Sequence, residues 1–159
     1  MEEIPSDWKN KAKQQSSVNR KFLEKLSNSK GAEKKVFASH DKAFSCIDCM
    51  KCANCCKTLG PRFKTTDIVR ISKHLRMKES VFIDTYLTVD EDADYVAKSL
   101  PCPFLEEDNS CSIYDVRPGD CKNYPYTDSD VFLKRLKTTI LNSEYCPAVY
   151  FVIEDLKKG

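Results

Sequence analysis

A chain of 159 residues with 41% hydrophobic and 31% charged side chains suits one compact domain and leaves little room for a second. Nine cysteines against only four glycines set it apart from an ordinary globular composition. The formal charge of +2 counts every cysteine as a neutral thiol; eight metal-bound thiolates and two divalent units would carry it to about −2, which argues against the basic footprint of a nucleic-acid binder.

The opening stretch MEEIPSDWKNKAKQQ has no apolar h-region, and no run of the chain approaches the ~18 apolar residues of a membrane span. Both observations point to a cytoplasmic protein without membrane partners. There thiols stay reduced, and clustered cysteines bind metal or do redox chemistry more often than they form a disulfide framework.

Residues 1–43 carry ten Lys/Arg against six Asp/Glu and no cysteine. That segment reads as an N-terminal helical appendage to a cysteine-cluster domain over 44–159. Ser6 is placed to cap a helix through DWKNKAKQQSSVNRKFLEKL, with Trp8, Ala12, Phe22, Leu23 and Leu26 on its buried side and Gln15 and Asn19 interrupting the stripe. A second helix is predicted from Ala32 to about Phe44, with Val36, Phe37, His40 and Phe44 sharing a face.

Beyond the cysteine-rich stretch, TTDIVRISKHLRM reads as an amphipathic helix capped by Thr66, with Asp67 favouring its N-terminus and Ile68, Ile71 and Leu75 inward. Residues 79–87 form a further short helix in this reading. Short strands are predicted at 95–98 and 111–114, with a turn at Asp108-Asn109. Helices at 130–142 and from Pro147 to Leu156 complete the chain. The expected fold is mostly α with minor β, its centre irregular and stapled by metal.

The stretch CMKCANCC carries the chemistry. Cys46, Cys49, Cys52 and Cys55 repeat the Cys-x2-Cys spacing three times, and two intervening residues let a tight turn aim both sulfurs at one metal. Adjacent Cys55 and Cys56 point apart in any regular backbone, so one of them is expected to serve a second metal or another iron of a cluster. The run is similar to the loop that wraps a 4Fe–4S cluster, where a remote Cys-Pro completes ligation; Cys102-Pro103 and Cys146-Pro147 both offer one. Cys102, Cys111, Cys121 and Cys146 are dispersed and must be gathered by the fold. Four local and four distant thiols are enough for two four-thiolate sites, or for one cluster and one zinc. The competing reading makes some distant cysteines small buried hydrophobes.

The ordered set CxxCxxCC at 49–56, TTDIVRI from Thr65, CPFL at 102–105, CSIY at 111–114 and VRPGDCKNYP at 116–125 resembles the YkgJ family of cysteine-cluster proteins, also named the zinc- or iron-chelating domain family, a name that leaves the metal open. The likeness covers about residues 45–150. It implies that Cys49, Cys52, Cys55, Cys56, Cys102, Cys111 and Cys121 belong to the metal-binding set, with Cys146 the eighth and Cys46 a spare thiol outside the pattern. Larger relatives similar to flagellin lysine methylases carry the same kind of array, which implies that the module can sit within protein-modifying enzymes.

Arg117, in a turn between two of these cysteines, is a candidate to offset the charge of a thiolate site; the plainer reading is a turn arginine paired with a carboxylate. Tyr114 and Tyr124 are expected to pack beside the site. The DEDAD run at 90–94 lacks the glycine and the bidentate glutamate of a calcium loop. Neither His40 nor His74 has zinc-finger spacing, and four glycines supply no nucleotide-binding loop.

Three functions compete. One is an iron–sulfur protein, of 4Fe–4S type, in redox or enzyme-support chemistry with a protein or redox partner. The second is a structural zinc module for protein interaction, with zinc also the candidate for a second site. The third is a small protein-modifying enzyme; the radical-SAM spacing Cys-x3-Cys-x2-Cys is absent from the array. Repeated spacing and the Cys-Pro dipeptides favour iron–sulfur over zinc, although tetrahedral thiolate sites suit both.

Overall fold

The computed structural model describes residues 4–159. In chain order the elements are α1 (Trp8–Gln14), α2 (Ser16–Ser27), α3 (Ala32–Cys46), α4 (Cys49–Cys52), α5 (Asn54–Thr58), β1 (Arg62–Phe63), α6 (Thr65–His74), α7 (Glu79–Tyr86), β2 (Leu87–Val89), β3 (Tyr95–Ala97), a 3-10 turn (Tyr114–Val116), α8 (Gly119–Asn123), α9 (Val131–Lys134), α10 (Leu136–Asn142) and α11 (Pro147–Lys158). The fold is mostly helical with one small sheet, as the sequence predicts. No helix among the described residues is long and apolar enough to cross a membrane.

Two compact units divide the chain: residues 1–48 with 125–159, and residues 49–124. This division differs from the compositional shift near residue 43. The N-terminal helices share a unit with the C-terminal ones, where α11 packs along α3 and α2 against α10.

In the helical unit the long helix predicted from Asp7 breaks at Gln15, whose φ of −94° and ψ of 4° leave the helical path between α1 and α2. Gln15 is held there by Lys157 Nζ, which donates to its Oε1 at 2.9 Å. Asn19, expected to interrupt the apolar stripe, is part of the buried face at 1% exposure. On α3 the inward stripe is Ala32, Val36, Ser39 and Ala43, one position round from the predicted face, and Phe37 is 39% exposed. A polar anchor explains the rotation: Ser39 Oγ and Lys42 Nζ both donate to Asp155 on α11. The predicted helix at 130–142 is likewise two pieces, broken at Arg135 with ψ 62°. Pro147 starts α11, as its missing N–H allows.

The second unit is built on α6, α7 and an antiparallel sheet in the order β1-β3-β2, with Arg62 opposite Val96 and Leu87 opposite Ala97. Phe63, Ile68, Ile71, Phe82, Phe104 and Ile113 form its core, and the Phe82 and Phe104 rings stack with centroids 6.1 Å apart. Helix α6 starts one residue before the predicted Thr66 cap. Lys64 is the N-cap residue, and its N–H donates to the Asp67 carboxylate at 2.9 Å in the manner of a capping box. The strand predicted at 95–98 forms as β3. That predicted at 111–114 does not: Cys111 makes a single bridge to Leu105, and the chain then tightens into the 3-10 turn.

Candidate metal centre

All nine cysteines are present as thiols, and seven of them, Cys49 to Cys121, belong to the 49–124 unit. The array is two short helical turns joined by Ala53 in the left-handed region at φ 45°, which ends α4 and restarts the chain as α5. Such a φ is costly for a residue with a Cβ and reverses the backbone between Cys52 and Cys55. Cys49 is exposed, while Cys52, Cys55 and Cys56 are half-buried. The neighbouring Cys55 side chain favours ionisation of Cys56.

Backbone bonds gather the distant cysteines. The Cys102 N–H donates to the Cys56 carbonyl at 2.8 Å, and the Leu105 N–H to the Cys102 carbonyl at 3.0 Å. Leu105 pairs with Cys111, and the intervening turn closes with Ser110 N–H donating to Asp108 Oδ1. From that turn, Asn109 Nδ2 reaches the Lys51 carbonyl within the array at 3.2 Å. Cys121 follows on α8. Gly119 at the start of α8 donates its N–H to Asp67 Oδ1 at 3.1 Å.

Electrostatics link Cys121 to Cys56, Cys102 and Cys111. Burial, then the opposing charges of Cys56, Cys102 and Cys111, push the Cys121 thiol up to about 12. Burial raises Cys102 and Cys111 as well, each further opposed by Cys56, and both pack against the apolar core of the unit. Cys56 runs the other way: the hydrogen bond with Cys55 outweighs burial and brings it down to about 7. Thiols that resist forming several anions together are suited to a cation, which takes up the charge and displaces the protons. Among the described residues no three His, Cys, Asp or Glu side chains converge tightly enough to hold an ion as they stand. The four thiols are therefore a neighbourhood and not a closed cage.

Arg117 stacks its guanidinium 4.0 Å from the centre of the Tyr114 ring, and its Nη1 donates to the Tyr114 carbonyl at 2.7 Å. Its charge favours ionisation of Cys111, against the effect of burial. Tyr114 itself is 51% exposed, so it lies at the rim where packing was expected; the arginine covers one face. Cys146 belongs to the helical unit, where it precedes α11 and packs against that unit's core. Cys46 ends α3 and is exposed. His40 is bonded through Nδ1 to Thr127 Oγ1 at 2.7 Å.

Sequence reasoning assigned Asp67 only to helix capping and passed over Arg70. The carboxylate is buried; burial opposes its charge, but Arg70 and the Lys64 and Gly119 amides outweigh that and hold its carboxyl below the usual range. The i, i+3 spacing of an acid and an arginine within TTDIVRI was the available signal.

Half-buried thiols on separate segments, clipped together by backbone bonds beside a small apolar core, make this a cysteine-cluster domain. Residues 48–147 match the family CxxCxxCC, described as a putative zinc- or iron-chelating domain, and the chain belongs to that family. The match takes in eight of the nine cysteines and leaves Cys46 outside. Comparisons with curated proteins and with solved structures found no match.

Proposed function

We propose that this chain holds an iron–sulfur cluster of 4Fe–4S type on thiols of its 49–124 unit and serves redox or enzyme-support chemistry in the cytoplasm, through a protein or redox partner. The observation that carries the reading is the backbone clip that joins Cys102 to Cys56 at 2.8 Å and, through Leu105, brings Cys111 beside Cys102, in a unit that also holds Cys121. Cys49, Cys52 and Cys55 stand in the same unit. Seven thiols exceed the needs of one tetrahedral zinc, and clusters take thiolate ligands from just such Cys-x2-Cys runs. Cys146 is the proposed eighth ligand, and Arg117 is proposed to balance the charge of the bound group from beside Cys111. Such a cluster, when bound, supplies one-electron chemistry; the chain's own part is to gather the thiols, bury them and limit their charge.

Zinc is the second reading, favoured by the same four thiols taken alone, since they match the donor set of a structural tetrahedral site. The chain would then be an interaction module held together by metal. Metal and acid-labile sulfide content, with an absorption spectrum, on protein purified without oxygen separates the two. Iron with matching sulfide and a broad visible band supports the cluster. Zinc without sulfide or colour overturns it and leaves the interaction module.

A further inference from the structure

Helix α6 carries no cysteine, yet its Asp67–Arg70 pair grips the segment between Cys111 and Cys121. Asp67 Oδ1 accepts from Arg70 Nη2 at 2.7 Å and from the Gly119 N–H at 3.1 Å. Arg70 Nη2 also donates to the Arg117 carbonyl at 2.9 Å, and Nε to the Val116 carbonyl at 3.3 Å. Three backbone atoms within Val116–Gly119 are thus held by one ion pair. Pro118, in the middle, is fully buried and has no N–H of its own to offer. The gripped stretch ends where α8 begins, and Cys121 is the third residue of that helix.

A surface i, i+3 pair contributes little and tolerates loss. This one differs: the carboxylate is 4% exposed, and its partners on the far side are backbone groups of a ligand-bearing loop. Charge-assisted bonds to two carbonyls and one amide leave that loop little freedom to slide. The fork is specific to arginine, because an ammonium offers no planar set of donors to span both carbonyls and the carboxylate. Helix α6 has separate apolar anchorage through Ile68 and Ile71, so loss of the fork need not unfold the unit.

We propose that Asp67 and Arg70 are positioning residues for the metal centre: they fix where α8 starts, and hence where the Cys121 sulfur stands relative to Cys56, Cys102 and Cys111. Metal retention, more than the fold, is what the pair controls. The inference rests on the reading of these thiols as metal-binding.

Cobalt(II) is the probe, because its bonds to thiolates absorb in the near ultraviolet and report on the ligand set. Full-length protein is loaded under anaerobic conditions, and transfer of cobalt to a competing chelator is timed, with far-ultraviolet circular dichroism to confirm folding. The expected result is that Arg70→Lys and Asp67→Asn release cobalt about 10–100-fold faster than wild type, the usual cost of losing a group that orients a ligand. Their charge-transfer band weakens, while Lys134→Gln, in the exposed pair on α9, changes neither. Unaltered release and an unaltered band in folded variants, even with a lowered melting temperature, would show that the pair only holds the fold and would overturn the proposal. Should Asp67→Asn fail to fold, the milder Arg70→Lys decides. Cys121→Ser separates the two levels: if wild type takes up no cobalt, or Cys121→Ser binds it unchanged, the metal reading falls and the positioning role with it. If Cys121→Ser loses cobalt while Arg70→Lys behaves as wild type, the positioning role alone falls.

Discussion

The Cys102 amide donates to the Cys56 carbonyl at 2.8 Å, so two thiol-bearing segments from distant parts of the chain are joined through backbone and not through sulfur. Replacing either thiol by a hydroxyl leaves that bond intact, which separates ligand chemistry from scaffold. Cys56→Ser and Cys102→Ser are expected to lose most of their bound metal while keeping wild-type helical content. Cys46→Ser, at the exposed end of α3, keeps its metal. Elemental analysis of anaerobically purified variants checks the series, and equal losses from Cys46→Ser and Cys56→Ser would mean that the register of the array is wrongly assigned. The same measurement on Cys146→Ser decides whether that thiol is the eighth ligand.

Gly60 closes α5 with φ 63°, and its N–H donates to the Cys55 carbonyl. A Cβ there would stand 3.1 Å from Leu100 Cδ2 and 3.6 Å from Ala97 Cβ. Leu100 is about half exposed and can move aside, so the left-handed backbone is the larger obstacle. Gly60→Ala is therefore expected to cost about 1–2 kcal/mol, the penalty of that conformation for a side-chain-bearing residue. Denaturant unfolding measures it; a loss below a few tenths would show that the turn adapts.

Much of the helical framework was legible because its signals are local. Ile68 and Ile71 on α6, Asp67 in its first turn and Pro147 at the head of α11 need no knowledge of the rest of the fold. What could not be read depends on partners far along the chain. The break at Gln15 is held by Lys157, and the rotation of the α3 stripe follows from Asp155, each more than a hundred positions away. Asn19 looked like an interruption because polarity was taken as exposure, yet it is buried. Strands β1 and β2 have two and three residues, too few to display an alternating period. At the candidate site the dense array announced itself by spacing. The particular grouping of Cys56 with Cys102, Cys111 and Cys121, and the grip of Arg70 on Val116 and Arg117, are products of tertiary structure.

Metal removal is expected to act unevenly on the 49–124 unit. The core residues Phe63, Ile68, Ile71 and Phe82 stand on β1, α6 and α7, which carry no cysteine, whereas Cys111 sits on a single bridge and Cys121 on a five-residue helix. Small domains held only by metal unfold on chelation, but this unit has a core of its own. Amide exchange after chelation should rise most over residues 49–60 and 100–121 and least over α6 and α7. Uniform exchange across the unit would mean that the metal holds the core as well.

The pair Ser39 and Lys42 on α3 with Asp155 on α11 gives the helical unit a dependence on acid. Burial opposes the charge of Asp155, but the Ser39 hydroxyl and the Lys42 ammonium outweigh it and hold its carboxyl below the usual value. A carboxylate whose folded-state value is depressed contributes stability that is complete above the unfolded value, about 3.9 for aspartate, and that is lost as pH falls through the folded one. Asp155→Asn should therefore destabilise the protein by about 1.5–3 kcal/mol near neutrality, the range for hydrogen bonds to a charged group. The difference between variant and wild type should then shrink as the pH is taken below the usual carboxylate range. Urea unfolding of both proteins across that interval supplies the test. A gap that stays constant with pH would show that Asp155 acts through its shape and neutral hydrogen bonds, and that the Lys42 charge contributes nothing to the packing of α11 on α3.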